Sequence, residues 1–465
     1  MSSPPIDVVI MAAGKGTRMK SRVPKVLHRL AGRPLLAHVM DTVGAIDARN
    51  VVVITGNGAE EVEQSAAGWT STPPRFVRQE PQLGTGHAVL QASPHLPDDG
   101  IVLILNGDVP LIEAATVQQL VQACGGERLA LLTVEPPDPT GYGRIVREGD
   151  AVRGIVEHKD ASAAQRAIRE TYSGFMAAPA KRLKSWLVKI TNDNAQGEYY
   201  LTDVVALAVK DKTEVVAVKA RQAIEVEGVN SPMQLASLER AHQQCEAARM
   251  MEQGVRIADP ARFDLRGTLE CGQDVEIDVN CIFEGLVKLG DGVRIGANCV
   301  IANAVIEAGA VIHPFTHIDG EKAGVKVGEG ALVGPFARLR PGAELGAEVH
   351  IGNFVEVKNS TLAKGAKANH LAYLGDSKVG ERVNYGAGSI TANYDGANKH
   401  QTVIEADVHV GSNCVLVAPV KIGEGGTVGA GSVITKDTPA GALSVARGKQ
   451  VSIANWQRPK KGEKK

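Results

Sequence analysis

The stretch MAAGKGTRMKSRVPK, directly after an apolar run at residues 8–10, carries residue types suited to phosphate chemistry. Its backbone N–H groups lie at the end of an expected strand, where a phosphate chain can be cradled. Lys15, Arg18 and Lys25 add three cations within eleven positions. The loop is not a Walker loop, because Lys15 precedes Gly16 and the G-x-x-x-x-G-K spacing is absent. Nor is it a dinucleotide fingerprint, because Met19 stands where a third Gly belongs. Further on, IVLILNGD ends on Asp108, a carboxylate at a strand terminus that either caps a turn or bridges a hard cation to substrate phosphates.

A second set of polar residues lies in the C-terminal half. Arg340 in LRPG and Lys358 in VEVK are cations suited to a sugar phosphate, and KANHLAYLGD places His370 three residues before Tyr373. The stretch TANYDGANKHQT gathers Asn393, Tyr394, Asp395, Lys399 and His400, dense polar chemistry for a connector. We read it as a binding loop. His350, His370 and His409 leave a zinc site as an alternative, although their neighbours show no metal-ligand spacing.

Two kinds of element must position these groups. Up to about residue 229, apolar β-rich runs such as DVVIMAAG, VVVITG, IVLILNGD and LALLTV alternate with longer amphipathic stretches, which is the pattern of an α/β domain with a mainly parallel sheet. Such sheets bind ligands at the carboxyl ends of their strands. Leu235, Leu238, His242 and Cys245 recur at offsets of three and four before Gly254, predicting a connecting helix over 231–254. From Val275 the period changes to six: Ile277, Phe283, Leu289, Ile295 and Ile301, then Val327, Val333, Leu339, Leu345, Ile351 and Val357, then Ile404, Val410, Leu416, Ile422 and Val428. Six is no helical period. It fits a parallel β-helix whose triangular coils point one aliphatic inward per side, with small residues turning the corners. The period breaks at HIDGEKAGVK and at TANYDGANKHQT, and inserted residues must leave such a prism as loops.

Composition agrees with this division. At roughly 150 residues per domain the length allows two or three domains. Aromatics are only 4% against 44% hydrophobic residues, and 51 glycines are present, so narrow uniform layers with tight corners are expected. With 51 Lys plus Arg against 52 Asp plus Glu, there is no long-range basic field to hold nucleic acid or an anionic membrane. No apolar run approaches the roughly 18 residues of a membrane span. The six cysteines form no C-x-x-C pair and are read as buried thiols, and a cytoplasmic location is expected. A basic tail, residues 458–465, is expected to be solvated.

The combination of AAGKGTRM, Pro24-Lys25, QLGTGHA and L-x-G-D closely resembles the sugar nucleotidylyltransferases. With GYGRI, VEHKD, GEYYLTD and EVEGVN following and the hexapeptide prism behind, residues 8–447 resemble the bacterial bifunctional N-acetylglucosamine-1-phosphate uridylyltransferase/glucosamine-1-phosphate acetyltransferase family. The resemblance implies a Rossmann-like nucleotidyltransferase domain over 1–230 and a left-handed β-helix acetyltransferase over 255–465. It implies that Met11, Ala12, Ala13, Gly14, Gln79, Gly84 and Thr85 hold the uridine nucleotide, and that Arg18 and Lys25 neutralise phosphates. Asp108 and Asn230 would carry Mg²⁺, while Asn106, Gly107, Gly143 and Glu157 would line the sugar side.

On the prism, the resemblance makes His370 the general base for acetyl transfer, with Glu356 as a candidate orienting partner. Arg340, Lys358, Tyr373 and Asn384 would hold the amino sugar phosphate. Ala387, Asn393, Tyr394, Ser412, Ala430 and Arg447 would hold acetyl-CoA, with Lys399 near by. The resemblance also implies a homotrimer with shared sites, UTP and acetyl-CoA as co-substrates, and a role in supplying cell-envelope precursors. Two positions depart from the family pattern. Tyr172 stands where the family often has an Asn that bonds the sugar, and Asn106 where some members have Tyr, a position expected to be tolerant. The nearest alternative is a nucleotidylyltransferase whose prism only trimerises; a regulatory module with a vestigial nucleotide site is a further one.

Overall fold

The computed structural model describes residues 4–69 and 73–458, and most of the expected basic tail lies outside them. The chain divides into two compact units, Met1–His242 and Gln243–Lys465.

The first unit is built on nine strands: β1 (Ile6–Met11), β2 (Asn50–Thr55), β3 (Arg75–Arg78), β4 (Ile101–Asn106), β5 (Leu129–Val134), β6 (Arg144–Glu148), β7 (Ala151–Val156), β8 (Thr171–Pro179) and β9 (Val215–Lys219). Their order is β9-β5-β8-β4-β1-β2-β3, with the β6/β7 hairpin attached to β8. All neighbours on the main path run parallel except β8, which is antiparallel to both β4 and β5. Side chains alternate across β1. Val8 and Ile10 enter a core with helices Leu35–Gly44 and Ala114–Cys124, whereas Val9 enters the opposite core with Thr85–Ala92 and Ala180–Leu187. A sheet covered on both faces reads as continuous apolar runs. It leaves only strand ends for polar chemistry, and the register Met11↔Asn106 puts the ends of β1 and β4 side by side.

Helix Pro232–Glu252 covers the segment expected to be helical. Its buried face differs from the one the spacing suggested. Leu238 is buried as expected, but Gln243, Ala247 and Met250 are the buried residues further on, and Cys245 is exposed. Gln243 holds that end by pairing its amide with both backbone groups of Leu265 at 2.7 and 2.9 Å.

The second unit is a left-handed parallel β-helix. Each side chain of the three six-residue series is at most 3% exposed. Successive coils pair in parallel with steps of eighteen residues, as in Ile277↔Ile295, Val333↔Ile351 and Val410↔Val428. The step lengthens to twenty-one at Ile312↔Val333 and to twenty-five at Tyr385↔Val410. Those two coils contain the stretches read as loops. Between them the step shortens to seventeen, as in Ile351↔Ala368 and Ala368↔Tyr385, because one side of each coil loses a residue and the aliphatics fall at Leu362, Leu374 and Val379 instead. One corner turns through positive φ, at Asn280, Asn298, Phe315, Phe336, Phe354 and Leu371 in turn. Bulky residues rarely adopt that conformation. Here Phe315, Phe336 and Phe354 stack outside the prism with ring centroids 4.9 and 5.4 Å apart, each about half exposed.

The thiols are not all buried: Cys124, Cys281, Cys299 and Cys414 are, whereas Cys271 is half-buried and Cys245 exposed.

Candidate functional site

In the first unit the strand ends enclose a cavity of about 380 Å³ lined by Met11, Ala12, Ala13, Gly14, Lys15, Lys25, Gln79, Gln82, Gly84, Thr85, Asn106, Asp108 and Glu198. Backbone bonds fix its walls. Gly107 N–H donates to the Met11 carbonyl at 2.9 Å, and Ala12 N–H donates to that of Ile54 at 2.8 Å. The Gln79 amide donates to the Gly84 carbonyl at 2.9 Å, and Gln82 donates to Ala13 at 2.7 Å. Two loops far apart in sequence are thereby tied across the opening.

On one side of the cavity the Lys25 ammonium pairs with Asp108 and donates to Asn230 Oδ1 at 3.2 Å. Both ends of the ion pair are mostly buried, so their attraction is weakly screened. One cation thus already sits where two oxygen donors meet. The donor set of one carboxylate and one amide oxygen suits Mg²⁺, which keeps water ligands and takes further oxygens from phosphates. Among the described residues no group of three or more His, Cys, Asp or Glu is placed to hold a metal.

Beyond Asn106, the Glu157 carboxyl accepts from Thr202 Oγ1 at 3.0 Å, and burial raises its pKa above the usual carboxylate range. A Cβ at Gly143 would lie 2.7 Å from Ile155 and 3.5 Å from Glu157 Oε1. A side chain there would collide with Ile155 beside the Glu157 carboxyl.

On the prism, His370 lies one coil above Asn353 in register, and its Nδ1 is 2.9 Å from Asn353 Oδ1. Glu356, the expected partner, is instead engaged by Arg340 at 2.8 Å. Asn353 therefore orients the ring. An open cavity of about 470 Å³ beside His370 is floored by Asn353, Phe336 and Phe354. Lys358 and Lys399 face one another, and the Lys358 pKa is lowered, first by the Lys399 ammonium and then by burial. Two ammonium groups held together, with Arg340 adding charge, concentrate positive charge at this point of the prism. The loop that delivers Lys399 is anchored through Asp376, which accepts from Asn359 at 2.5 Å and from Asn393. Asp395 closes the same loop on Ala397 N, Asn398 N and His400, bonds that hold its carboxyl well below the usual range.

Residues 8–172 match the model of the MobA-like NTP transferase domain, and residues 324–359 and 401–436 match that of the bacterial transferase hexapeptide, six repeats. The chain is 71% identical over 472 residues to the bifunctional protein GlmU of Acidovorax sp. strain JS42, covering 99% of both chains. It is 72% identical to that of Paracidovorax citrulli, covering 98% of both, and 54% identical to that of Herminiimonas arsenicoxydans, covering 99% of this chain and all of that one. The chain belongs to the GlmU family of bifunctional proteins.

In this GlmU-family chain the structure brings most of the expected nucleotide residues to one cavity. Gly107, Gly143, Glu157 and Asn230 stand outside its lining, and so does Arg18. It lies exposed on the short helix Thr17–Met19, and Lys15 lines the cavity in its place. Gln82, Glu198 and Thr202 were not singled out, although they stand inside the motifs QLGTGHA and GEYYLTD. On the prism, Ala387, Ser412 and Ala430 fall at one corner of three successive coils, joined by Asn413 N to Ala387 O and Gly431 N to Ser412 O, both 2.8 Å. Asn384 is exposed beside His409 in register, and Tyr373 lays its hydroxyl over Gly375, where no Cβ would fit. The Asn393 side chain is buried on Asp376, so its amide secures the loop. Tyr394 and Arg447 are exposed and bond the carbonyls of Gly396 and Ala430 at 2.6 Å.

Gly84 has φ of +112°, and a Cβ there would lie 2.6 Å from the Tyr199 carbonyl. Gly84→Ala is therefore expected to displace the loop that Gln79 holds and to raise KM for the nucleotide by roughly tenfold or more with the thermal midpoint lowered only slightly. Steady-state kinetics against varied nucleotide checks it.

Proposed function

We propose that the chain makes UDP-N-acetylglucosamine in two steps, N-acetylation of glucosamine 1-phosphate on the prism and uridylyl transfer from UTP in the first unit. The observation that carries the second step is the meeting of Asp108, Asn230 and Lys25 at one cation position beside a cavity floored by the Gly14 loop. The N-acetylglucosamine 1-phosphate oxygen attacks the α-phosphorus of UTP, and the bond to the bridging oxygen of pyrophosphate breaks. No covalent enzyme intermediate is needed. Lys25, Lys15 and loop N–H groups stabilise charge on the phosphates. Mg²⁺ held by Asp108 and Asn230 would supply further positive charge there.

On the prism, the glucosamine amine attacks the thioester carbonyl of acetyl-CoA. His370 takes the proton released as nitrogen bonds carbon, and the CoA sulfur leaves as the C–S bond breaks and takes up that proton to become the thiol. Arg340, Lys358 and Lys399 supply charge for the sugar phosphate. The corner column Ala387, Ser412 and Ala430 has little side-chain bulk, which suits a cofactor arm lying along the coils. We assign the active form as a homotrimer with shared sites, working in the cytoplasm where both co-substrates occur. In support, the exposed stack Phe315, Phe336 and Phe354 borders the cavity of His370, and a contiguous apolar patch of this kind suits a protein partner such as a second copy.

Pyrophosphate release from UTP and N-acetylglucosamine 1-phosphate tests the uridylyl half. Release that needs both substrates and stops with chelator is expected; release unaffected by chelator would remove Asp108 and Asn230 from the metal role.

A further inference from the structure

We infer that Lys20 and Arg22, together with Arg18, form a fixed electropositive loop that steers the triphosphate of the nucleotide to the cavity, an inference that rests on the uridylyl-transfer reading above. Between Asp7 and Asp41 the sequence holds seven Lys and Arg and no Asp or Glu. Three of the seven are engaged: Lys25 with Asp108, Arg33 with Asp41, and Arg29 with the Gly32 carbonyl at 3.1 Å. Lys15, Arg18, Lys20 and Arg22 are exposed and, among the described residues, make no ion pair. Of these four only Lys15 lines the cavity.

The segment that carries them is a closed loop. A Cβ at Gly16 would lie 2.9 Å from the Lys25 Cβ, so the chain leaves and returns at a neck beside Lys15 and Lys25, both of which line the cavity. Lys20 stands four residues from one side of that neck and Arg22 three from the other, so at roughly 3.5 Å per residue neither backbone is more than about 14 Å away. The loop is also pinned. Met19 is buried against Leu30, Leu35, Val229 and Leu238, which leaves its neighbours Arg18 and Lys20 at the surface. Pro24 packs on Gly58, where a Cβ would lie 2.4 Å from its ring, and Val23 N–H donates to Ser21 Oγ at 3.1 Å. Lys20 itself holds φ of +50°, with its N–H on the Thr17 carbonyl at 3.3 Å.

A net charge of −1 gives the molecule as a whole no pull on an anion. A local excess of cations beside a concave site does, because it raises the rate at which an oppositely charged ligand meets that site. The triphosphate feels this field strongly, whereas an uncharged nucleoside does not. Since Lys20 and Arg22 stand outside the lining, they act on association and leave the chemical step to the groups in the cavity. Fixing the loop in place means that no ordering of these side chains' backbone opposes the encounter.

The test uses the full chain with Lys20→Asn and Arg22→Gln combined, Asn being chosen because it tolerates a positive φ. Association of a fluorescent UTP analogue, and of the matching uridine analogue without phosphates, is followed by stopped flow in the absence of sugar phosphate. The salt is set at about 10 mM and about 1 M, where the Debye length is roughly 30 Å and roughly 3 Å. The double variant is expected to bind the UTP analogue about threefold or more slowly at low salt and at the parent rate at high salt, with dissociation, uridine binding and kcat unchanged. Lys20→Glu combined with Arg22→Glu is expected to deepen the low-salt loss. Equal association at low salt, or a loss that persists at high salt or extends to uridine, would overturn the inference. Because the measurement needs no turnover, the two levels of the account fail separately. A parent that binds the UTP analogue with this salt dependence but releases no pyrophosphate contradicts the activity alone, and salt-independent binding with pyrophosphate release intact contradicts the steering alone.

Discussion

Asp108→Ala is expected to lower uridylyl transfer by about 10³-fold or more while acetyl transfer stays at the parent rate. The carboxylate is one of two protein oxygens at the proposed metal position, and charge stabilisation of leaving pyrophosphate is the main work of such a site. Its removal also strands the Lys25 ammonium, whose side chain is only 14% exposed, with the Asn230 amide as its remaining partner. Breaking a pair of this kind costs more than forming it gains. Asp108→Asn, which keeps the shape and one oxygen, is expected to retain the fold and still lose most activity. Pyrophosphate release and CoA thiol release, measured on the same preparations, check both halves. Equal loss of both activities would show that the two units do not work independently.

His370→Ala is expected to slow acetyl transfer by roughly 10²-fold or more with uridylyl transfer unchanged. His370 is exposed at the prism corner, so truncation removes a base and opens no buried cavity. Asn353→Ala is expected to give a smaller loss, because it frees the ring to rotate without removing it. Added imidazole partly restoring the His370→Ala rate would identify the missing group as a base. Near-normal turnover without it would take His370 out of that role.

The prism was legible because its period is written in the aliphatics. Ile277 to Ile301 and Val327 to Val357 keep strict six-residue spacing, and each inserted loop shows as a break. The middle coils were not legible, since Leu362 follows Val357 after five residues and the series loses phase although the prism continues. The buried half of helix Pro232–Glu252 was misread because Gln243, a polar residue, takes a core position by bonding the Leu265 backbone. A pattern of apolar residues cannot reveal a satisfied polar one.

Site residues divide the same way. Asp108, Gly84 and Lys25 stand in motifs whose chemistry is visible in one dimension. Asn353 meets His370 only because one coil is seventeen residues long there, a length set by the lost residue rather than by any motif. Lys15 and Arg18 are equally cationic in sequence, and only the turn into helix Thr17–Met19 decides which of them faces the cavity.

The claim that separates this account from its nearest rival is that the prism is catalytic. Purified chain mixed with acetyl-CoA and glucosamine 1-phosphate, without UTP, should release CoA thiol promptly and should not do so with glucosamine alone. No thiol release from a preparation that still transfers uridylyl groups would contradict it and leave the prism as an assembly scaffold.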